Sequence, residues 1–340
     1  MKFKTKKTMG KMLLIGLCAA LLAGCSDSKN SDASDKSAGE SGGKTFKIGI
    51  SQIIDHKALN DAREGFEERL KELGIEADID FESADGDVPT SQLIAEKYVS
   101  DKVDLIYAIA TPAAQTAQNA TKSNKIPVIF SAVTDPFKAG LVGENIEDNN
   151  VTGVTDEATT ANILELLNIV KDLTGDKNSI GVIYNTAEAN AVSQVEKLQE
   201  LTKDLGMQVV AVPISNLTEI DQALEIVNNK AGALYLINDN MVASAVEMIA
   251  SKAKDKGLIT VSTDSSHVEG GAMFSIGLSY KQLGRQAAEA AKQILIDGAS
   301  PEDIPVAGSQ KLFRFINKGA AEALGVNTEQ LITDDTTIIE

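Results

Sequence analysis

The residues of this chain that could do chemistry are short polar ones, placed where an apolar, strand-like run gives way to a helix-like one. In Tyr107–Ala117, YAIATPAAQTA, the change falls at Thr111 and Pro112. A threonine ahead of a proline is the pattern of a helix start, with the hydroxyl as cap and the proline at the first helical position. The backbone N–H groups behind them, on Ala113 and Ala114, then lack intrahelical partners and suit an anionic oxygen. Gln115 follows in the same turn. Gln52 and His56 stand after another strand-like run, and Ser131 and Thr134 in FSAVTDP add hydroxyls. The second half of the chain offers Tyr184, Asn185, Glu188 and Asn190 in IYNTAEAN, Asp239 and Asn240 in INDNM, and Asp264 in STDSS. One half thus supplies hydroxyls, amides and N–H groups for a carboxylate. The other supplies Glu188, Asp239 and Asp264 for an ammonium, with Asp264 foremost. Together they suit an amino-acid zwitterion. Taken singly, Thr111, Asn185, Asp239 and Asn240 need be no more than helix caps. His267, ahead of VEGG, reads as an ordinary loop residue.

The elements that must position these residues alternate strand with helix from Thr45 onward. FKIGISQ predicts a strand. Residues 57–73 place Ala58, Ala62, Phe66, Leu70 and Leu73 on one helical face, closed by Gly74. EADIDFE, VDLIYAIA and IPVIFSAV predict strands, separated by a helix opened by Pro89 and by the helix that starts at Thr111. After a loop over 139–153 the pattern restarts with the helix 159–173 and the strand SIGVIYN. A long helix then runs to Gly206, and MQVVAVPI, the helix 219–229, GALYLIN, one helix over 241–256 and LITVST follow. Strands too apolar to alternate imply parallel sheets covered on both faces. The fold class is therefore α/β, with two doubly wound parallel-sheet lobes. AMFSIGLSY, the helix 281–298, KLFRFIN and the helix 318–326 come last. A chain that adds strands after a second lobe crosses back between lobes, which predicts a multi-strand hinge and closure around a ligand. In such sheets ligands bind beyond the C-terminal strand ends. Every strand-to-helix junction named above then lines one cleft.

The chain has 340 residues, 43% hydrophobic, with formal net charge −17 and no tryptophan. That length fits two lobes, and so negative a charge disfavours nucleic acid as a partner. The start, MKFKTKKTMGK, holds five lysines and no acid, and is followed by the apolar run 12–23, too short to span a bilayer permanently. Leu22-Ala23-Gly24-Cys25 resembles the bacterial lipobox, in which the cysteine becomes the lipidated first residue. Residues 1–24 then read as a lipoprotein signal peptide, whose removal makes the chain five charges more negative. Residues 25–44, rich in Ser, Asp, Lys and Gly, read as a flexible tether. Cys18 leaves with the signal and Cys25 takes the lipid, so no disulfide or cysteine metal site is expected. There is no GxSxG or HExxH, and only two histidines. The expectation is a binding protein, not an enzyme, with no cofactor and no metal.

The blocks ATPAAQ, FSAVTDP and IYNTAEAN, with IGISQIIDHKALNDAREGF, LYLINDNMVASA and YKQLGRQAAEAAKQIL, resemble the ABC-transporter substrate-binding lipoproteins assigned to tryptophan and tyrosine uptake. The likeness covers nearly all of residues 45–325. It implies the periplasmic-binding-protein type I fold, with lobe 1 over 45–155 plus about 279–308 and lobe 2 over 156–278 plus about 309–340. It implies capture of a small, aromatic amino acid-like solute, delivery to an ABC permease and its ATPase, and a place on the extracytoplasmic face of the membrane. A receptor for a signalling partner and a binder of a sugar or nucleoside are the alternatives. The lack of tryptophan for ring stacking weighs against a sugar.

Overall fold

The computed structural model describes residues 44–143, 149–175, 177–308 and 312–340. The signal peptide, Cys25 and the tether up to residue 43 lie outside the described residues.

Two sheets organise the chain. The first grows from β1 (Phe46–Gln52), α1 (Lys57–Glu72), β2 (Ala77–Ser83), α2 (Val88–Asp101), β3 (Leu105–Ile109), α3 (Thr111–Thr121), β4 (Val128–Ser131) and β5 (Val151–Thr155). β3 and β4 are buried along their whole length, because helices cover both faces. Strict parallel register sets Gln52 beside Ile109 and Ile109 beside Ser131, so the loops leaving β1, β3 and β4 emerge from one edge.

The second sheet collects β6 (Ser179–Asn185), β7 (Gln208–Ile214), β8 (Ala233–Leu236), β9 (Ile259–Asp264), β10 (Phe274–Leu278), β12 (Phe313–Asn317) and β13 (Thr336–Ile339). α4 (Thr160–Thr174), α5 (Ala189–Asp204), α6 (Ile220–Lys230), α7 (Asn240–Ser244), α8 (Val246–Asp255), α9 (Ser265–Glu269) and α11 (Lys318–Ala323) accompany these strands. Its order is β13-β12-β10-β9-β8-β6-β7, parallel except between β10 and β12. The first sheet's order is β11-β5-β4-β3-β1-β2, where β11 (Ala307–Gly308) is contributed late in the chain. The chain therefore passes between the sheets after β5, again between β10 and α10 (Tyr280–Leu295), and again between β11 and β12.

α10 returns to the first sheet's layer and lies on α1. The contact is close because glycines face backbone at the crossing. A Cβ on Gly284 would stand 1.8 Å from the Ala62 carbonyl oxygen, and one on Gly65 2.1 Å from that of Lys281. Backbone cannot yield as a side-chain tip can, so Gly284→Ala should separate the helices at a cost of about 3 kcal/mol, the upper end for overpacking. Chemical denaturation of the variant checks this; unchanged stability would contradict the crossing.

Several local expectations are corrected. The helix expected over 241–256 breaks at Ala245 into α7 and α8. β5 occupies the end of the loop expected over 139–153, and β11 and β13 join sheet edges without a strong strand pattern. The segment 265–269, expected as loop, is the short helix α9, capped by the Asp264 side chain on the Ser266 N–H. β3 passes into α3 across the single residue Ala110, which takes φ 85° and ψ 158°. That region is nearly glycine-only and costs of order 1–3 kcal/mol, and its adoption lets the strand turn directly into the helix. Thr111 is therefore the first helical residue and not the cap.

Candidate functional site

The C-terminal strand ends of both sheets meet at a small polar cavity. His56, Leu59, Ala132 and Thr134 line it from the first sheet's side. Asn190, Asn238, Asp239, Asn240, Ala243, Asp264 and His267 line it from the second. Asp156 and Tyr280 line it where the chain crosses between the sheets. No lysine or arginine is among the lining residues. Contacts between the halves hold the cavity shut. Ser193 Oγ donates to Asp135 Oδ2 at 3.0 Å, and Lys138 Nζ pairs with Glu196 at 3.1 Å. Lys57 Nζ, on α1, pairs with Glu269 at 3.0 Å.

Of the residues singled out in the sequence, His56, Thr134, Asn190, Asp239, Asn240 and Asp264 share this cavity. The others stand behind it. Gln52 donates its amide to the Ile54 carbonyl at 3.0 Å, to Asp55 at 2.9 Å and to Asn60 at 2.8 Å, which fixes the loop carrying His56. Ser131 Oγ is 2.6 Å from the Tyr107 hydroxyl, whose ring stacks on Phe66. Gln115 donates to the Ala139 carbonyl at 3.0 Å. Tyr184 packs against the second sheet's core. Ala113 and Ala114 are fully buried, and the Ala114 N–H donates to the Ala110 carbonyl at 3.0 Å. That N–H is thus not free, because the helix begins one residue earlier than the threonine-cap pattern implies. The Thr111 hydroxyl, released from capping, is buried without a hydrogen-bond partner among the described residues.

The acids divide by what already engages them. Glu188 accepts from the Asn240 N–H at 3.0 Å and its amide at 2.5 Å, and from the Met241 N–H at 3.3 Å. Asp239 accepts from the Asn185 N–H at 2.5 Å and the Val242 N–H at 3.0 Å. Asn185 is therefore a backbone partner of Asp239, and its own Oδ1 takes the Ala187 N–H at 3.0 Å. Burial, with the nearby Glu188, raises the Asp239 pKa. Asp264 keeps Oδ2 clear of backbone donors, while Oδ1 takes the Ser266 N–H at 2.7 Å.

Asp156 was missed in the sequence. Its Oδ2 accepts from the Tyr280 hydroxyl at 2.7 Å and the Asn238 amide at 3.0 Å. Its Oδ1 is buried with no donor in hydrogen-bonding geometry among the described residues, and the Thr134 hydroxyl is near enough to the carboxylate to favour its ionised form. Asn190 Oδ1 and Asn238 Oδ1 are likewise buried without a donor among the described residues, and their residues are held by Gln194 and by each other through the Asn238 carbonyl. Burial pushes the carboxyls of Asp156 and Asp264 up to about 6, against the hydrogen bonds they accept. Burial also brings His56 and His267 down to about 4, so both imidazoles are neutral at pH 7. An acid-rich, cation-free cavity with unpaired acceptors is short of positive charge and of hydrogen-bond donors.

A signal for the missed residues existed. Asp156 and Tyr280 follow strands as the chosen junctions do, but at crossings between sheets. Asn238 and His267 lie inside the junctions named above; His267, read as a loop residue ahead of VEGG, stands on a helix of five residues, too short to leave a periodic pattern. Among the described residues no group of three or more His, Cys, Asp or Glu is arranged to hold a metal ion. No helix there is long and apolar enough to cross a membrane.

Two mostly parallel α/β sheets, crossed repeatedly by the chain and closed over a polar cavity, define a solute-binding protein of the periplasmic-binding type I fold. Residues 47–337 match the family model described as ABC transporter substrate binding protein, and the chain belongs to that family. It is 38% identical to a tyrosine-binding protein of Clostridioides difficile, over 94% of this chain and 93% of the relative. Among solved structures, an ABC domain from Streptococcus pneumoniae in complex with L-Trp has TM-score 0.80 at 29% identity, covering 87% of this chain and all of that one (100%). The ligand-free, open structure of a substrate-binding protein with adhesive properties from Clostridium difficile has TM-score 0.65 at 37% identity, covering 87% of this chain and 99% of that one.

Proposed function

We propose that this substrate-binding protein captures an aromatic L-amino acid between two closing lobes and presents it to an ABC permease and its ATPase. The lobes are residues 45–155 plus about 279–308, and 156–278 plus about 309–340. The observation that carries this reading is the set of buried oxygens on Asp156, Asn190 and Asn238 that have no partner, in a cavity lined by no cation, among the described residues. An ammonium brings three donors and the missing positive charge. Asp156 replaces Asp264 as the main counter-charge, because its bond with Tyr280 engages Oδ2 and leaves Oδ1 for an ammonium. Thr134 serves the ligand's carboxylate from the first lobe.

The relatives support the choice of ligand, since one is named for tyrosine and another was solved with L-Trp. The conformation fits as well. The chain is more alike in shape to the Trp-bound structure than to the open one, although its sequence is nearer to the open one. A hinge rotation changes shape without changing sequence. Cys25 carries the lipid and residues 26–44 the tether, which places the body on the extracytoplasmic face; mass spectrometry of the N-terminal peptide from membranes checks the acylation. Calorimetry with the proteinogenic amino acids and with ribose and adenosine tests the ligand. Heat is expected with tyrosine or tryptophan. Heat only with the sugar or nucleoside overturns the amino-acid reading.

A further inference from the structure

Another part of the cavity has a different deficit. The Ser262 hydroxyl donates to the Leu236 carbonyl at 2.9 Å and accepts the Asp264 N–H at 3.0 Å. Its 2.8 Å contact with His267 Nδ1 is therefore one in which the ring donates. With the proton on Nδ1, the neutral ring presents a lone pair at Nε2. That Nε2 stands 3.6 Å from Asp264 Oδ2 and has no hydrogen-bond partner among the described residues. His267 and Asp264 are 1% and 2% exposed, and the Ser266 side chain is the hydroxyl donor at Asp264. His56, on the facing loop, adds another buried Nε2 without a partner. Lone pairs set against each other in a dry site cost free energy until a hydrogen is placed among them.

We propose that His56, Asp264 and His267 form the side-chain subsite, which selects aromatic amino acids whose ring carries a hydrogen-bond donor, a phenol O–H or an indole N–H, over phenylalanine. This rests on the amino-acid reading above, with the ammonium held at Asp156. Phenylalanine fits the same volume but brings no hydrogen, and leaves the acceptors unpaired in a closed cavity. Sites built around a ligand hydroxyl reject the analogue lacking it strongly, by up to about 10⁴–10⁵-fold. Here several acceptors share the deficit before binding, so about 10²-fold is expected.

The test is calorimetry on the full body with tyrosine, tryptophan, phenylalanine, 4-aminophenylalanine and 4-fluorophenylalanine. The last two match in size and differ in the donor. Tyrosine or tryptophan, and 4-aminophenylalanine, should bind about 10²-fold more tightly than phenylalanine and 4-fluorophenylalanine. His267→Leu and His56→Phe should each shrink that gap to below about tenfold. His56→Phe stands on a loop and keeps the test available if His267→Leu does not fold. Phenylalanine binding within tenfold of tyrosine and tryptophan overturns the subsite while leaving the amino-acid reading in place. A gap unchanged in the folded variants also overturns it. If no aromatic amino acid binds, the reading beneath fails and the subsite fails with it.

Discussion

Asp156→Asn should remove most of the affinity for the amino acid and, at the same time, stabilise the ligand-free protein. Asp156 is 3% exposed, and burial disfavours its ionised form, pushing the carboxyl up to about 6. An asparagine keeps an oxygen for the Tyr280 hydroxyl and the Asn238 amide. The buried charge disappears. Folding at pH 7 should gain about 1–3 kcal/mol, in line with a carboxyl pKa raised by burial. The ligand meets the reverse. Its ammonium loses the counter-charge and faces an amide donor. Truncating one partner of a buried, hydrogen-bonded charge pair costs about 2–5 kcal/mol, or about 30-fold to several thousand-fold in affinity. Thermal unfolding and calorimetry on one preparation check both signs. A variant that binds normally, or that is destabilised without ligand, would refute the role given to Asp156.

Affinity should also fall steeply on acidification. In the free protein Asp156 and Asp264 hold their protons up to about pH 6. The ammonium pairs with the ionised form, so above about pH 7 nothing has to be displaced. Below 6 each binding event must expel a proton. For one carboxyl titrating at about 6, the dissociation constant rises about tenfold between pH 7 and pH 5, and about a hundredfold if both must ionise. The histidines do not confuse this window, because His56 and His267 stay neutral down to about 4. Stability of the free protein is a poorer readout. Three buried carboxyls, those of Asp156, Asp239 and Asp264, raised above their unfolded values, stabilise the fold at low pH and lose that contribution as pH rises through about 6 to 7. The two imidazoles, lowered below theirs, do the opposite between about 6.5 and 4, and the effects oppose each other. Calorimetry in buffers of different ionisation enthalpy, at pH 5, 6 and 7, measures the proton release directly. Proton release absent at pH 6 would show that these carboxyls are not discharged by the ligand.

How much of this was legible in the residues is uneven. The alternation of apolar strand runs with amphipathic helices fixed the class of fold, because period and burial are local properties of neighbouring side chains. FKIGISQ and VDLIYAIA are nearly unbroken because helices cover both their faces, and they lie in the first sheet as β1 and β3. The glycines after α1 and α5 took the positive φ expected of them. The site was legible as a set of strand ends, since parallel register alone brings the residues after β1, β3 and β4 to one edge.

Which polar atoms remain available could not be read the same way. Glu188 and Asp239 have the right charge and are occupied, the former by backbone and side-chain donors around α7, some fifty positions on. Asp156 gains its place from Tyr280, which is 124 positions away and reaches it because α10 crosses back to the first sheet. Local residue patterns were enough for the architecture and for a surplus of acid at the strand ends. The tertiary structure decided which of those acids keeps an unpaired oxygen, and that Thr111 is not a cap. Hydrogen-bond satisfaction is a property of all the neighbours of an atom together, and those neighbours come from both halves of the chain.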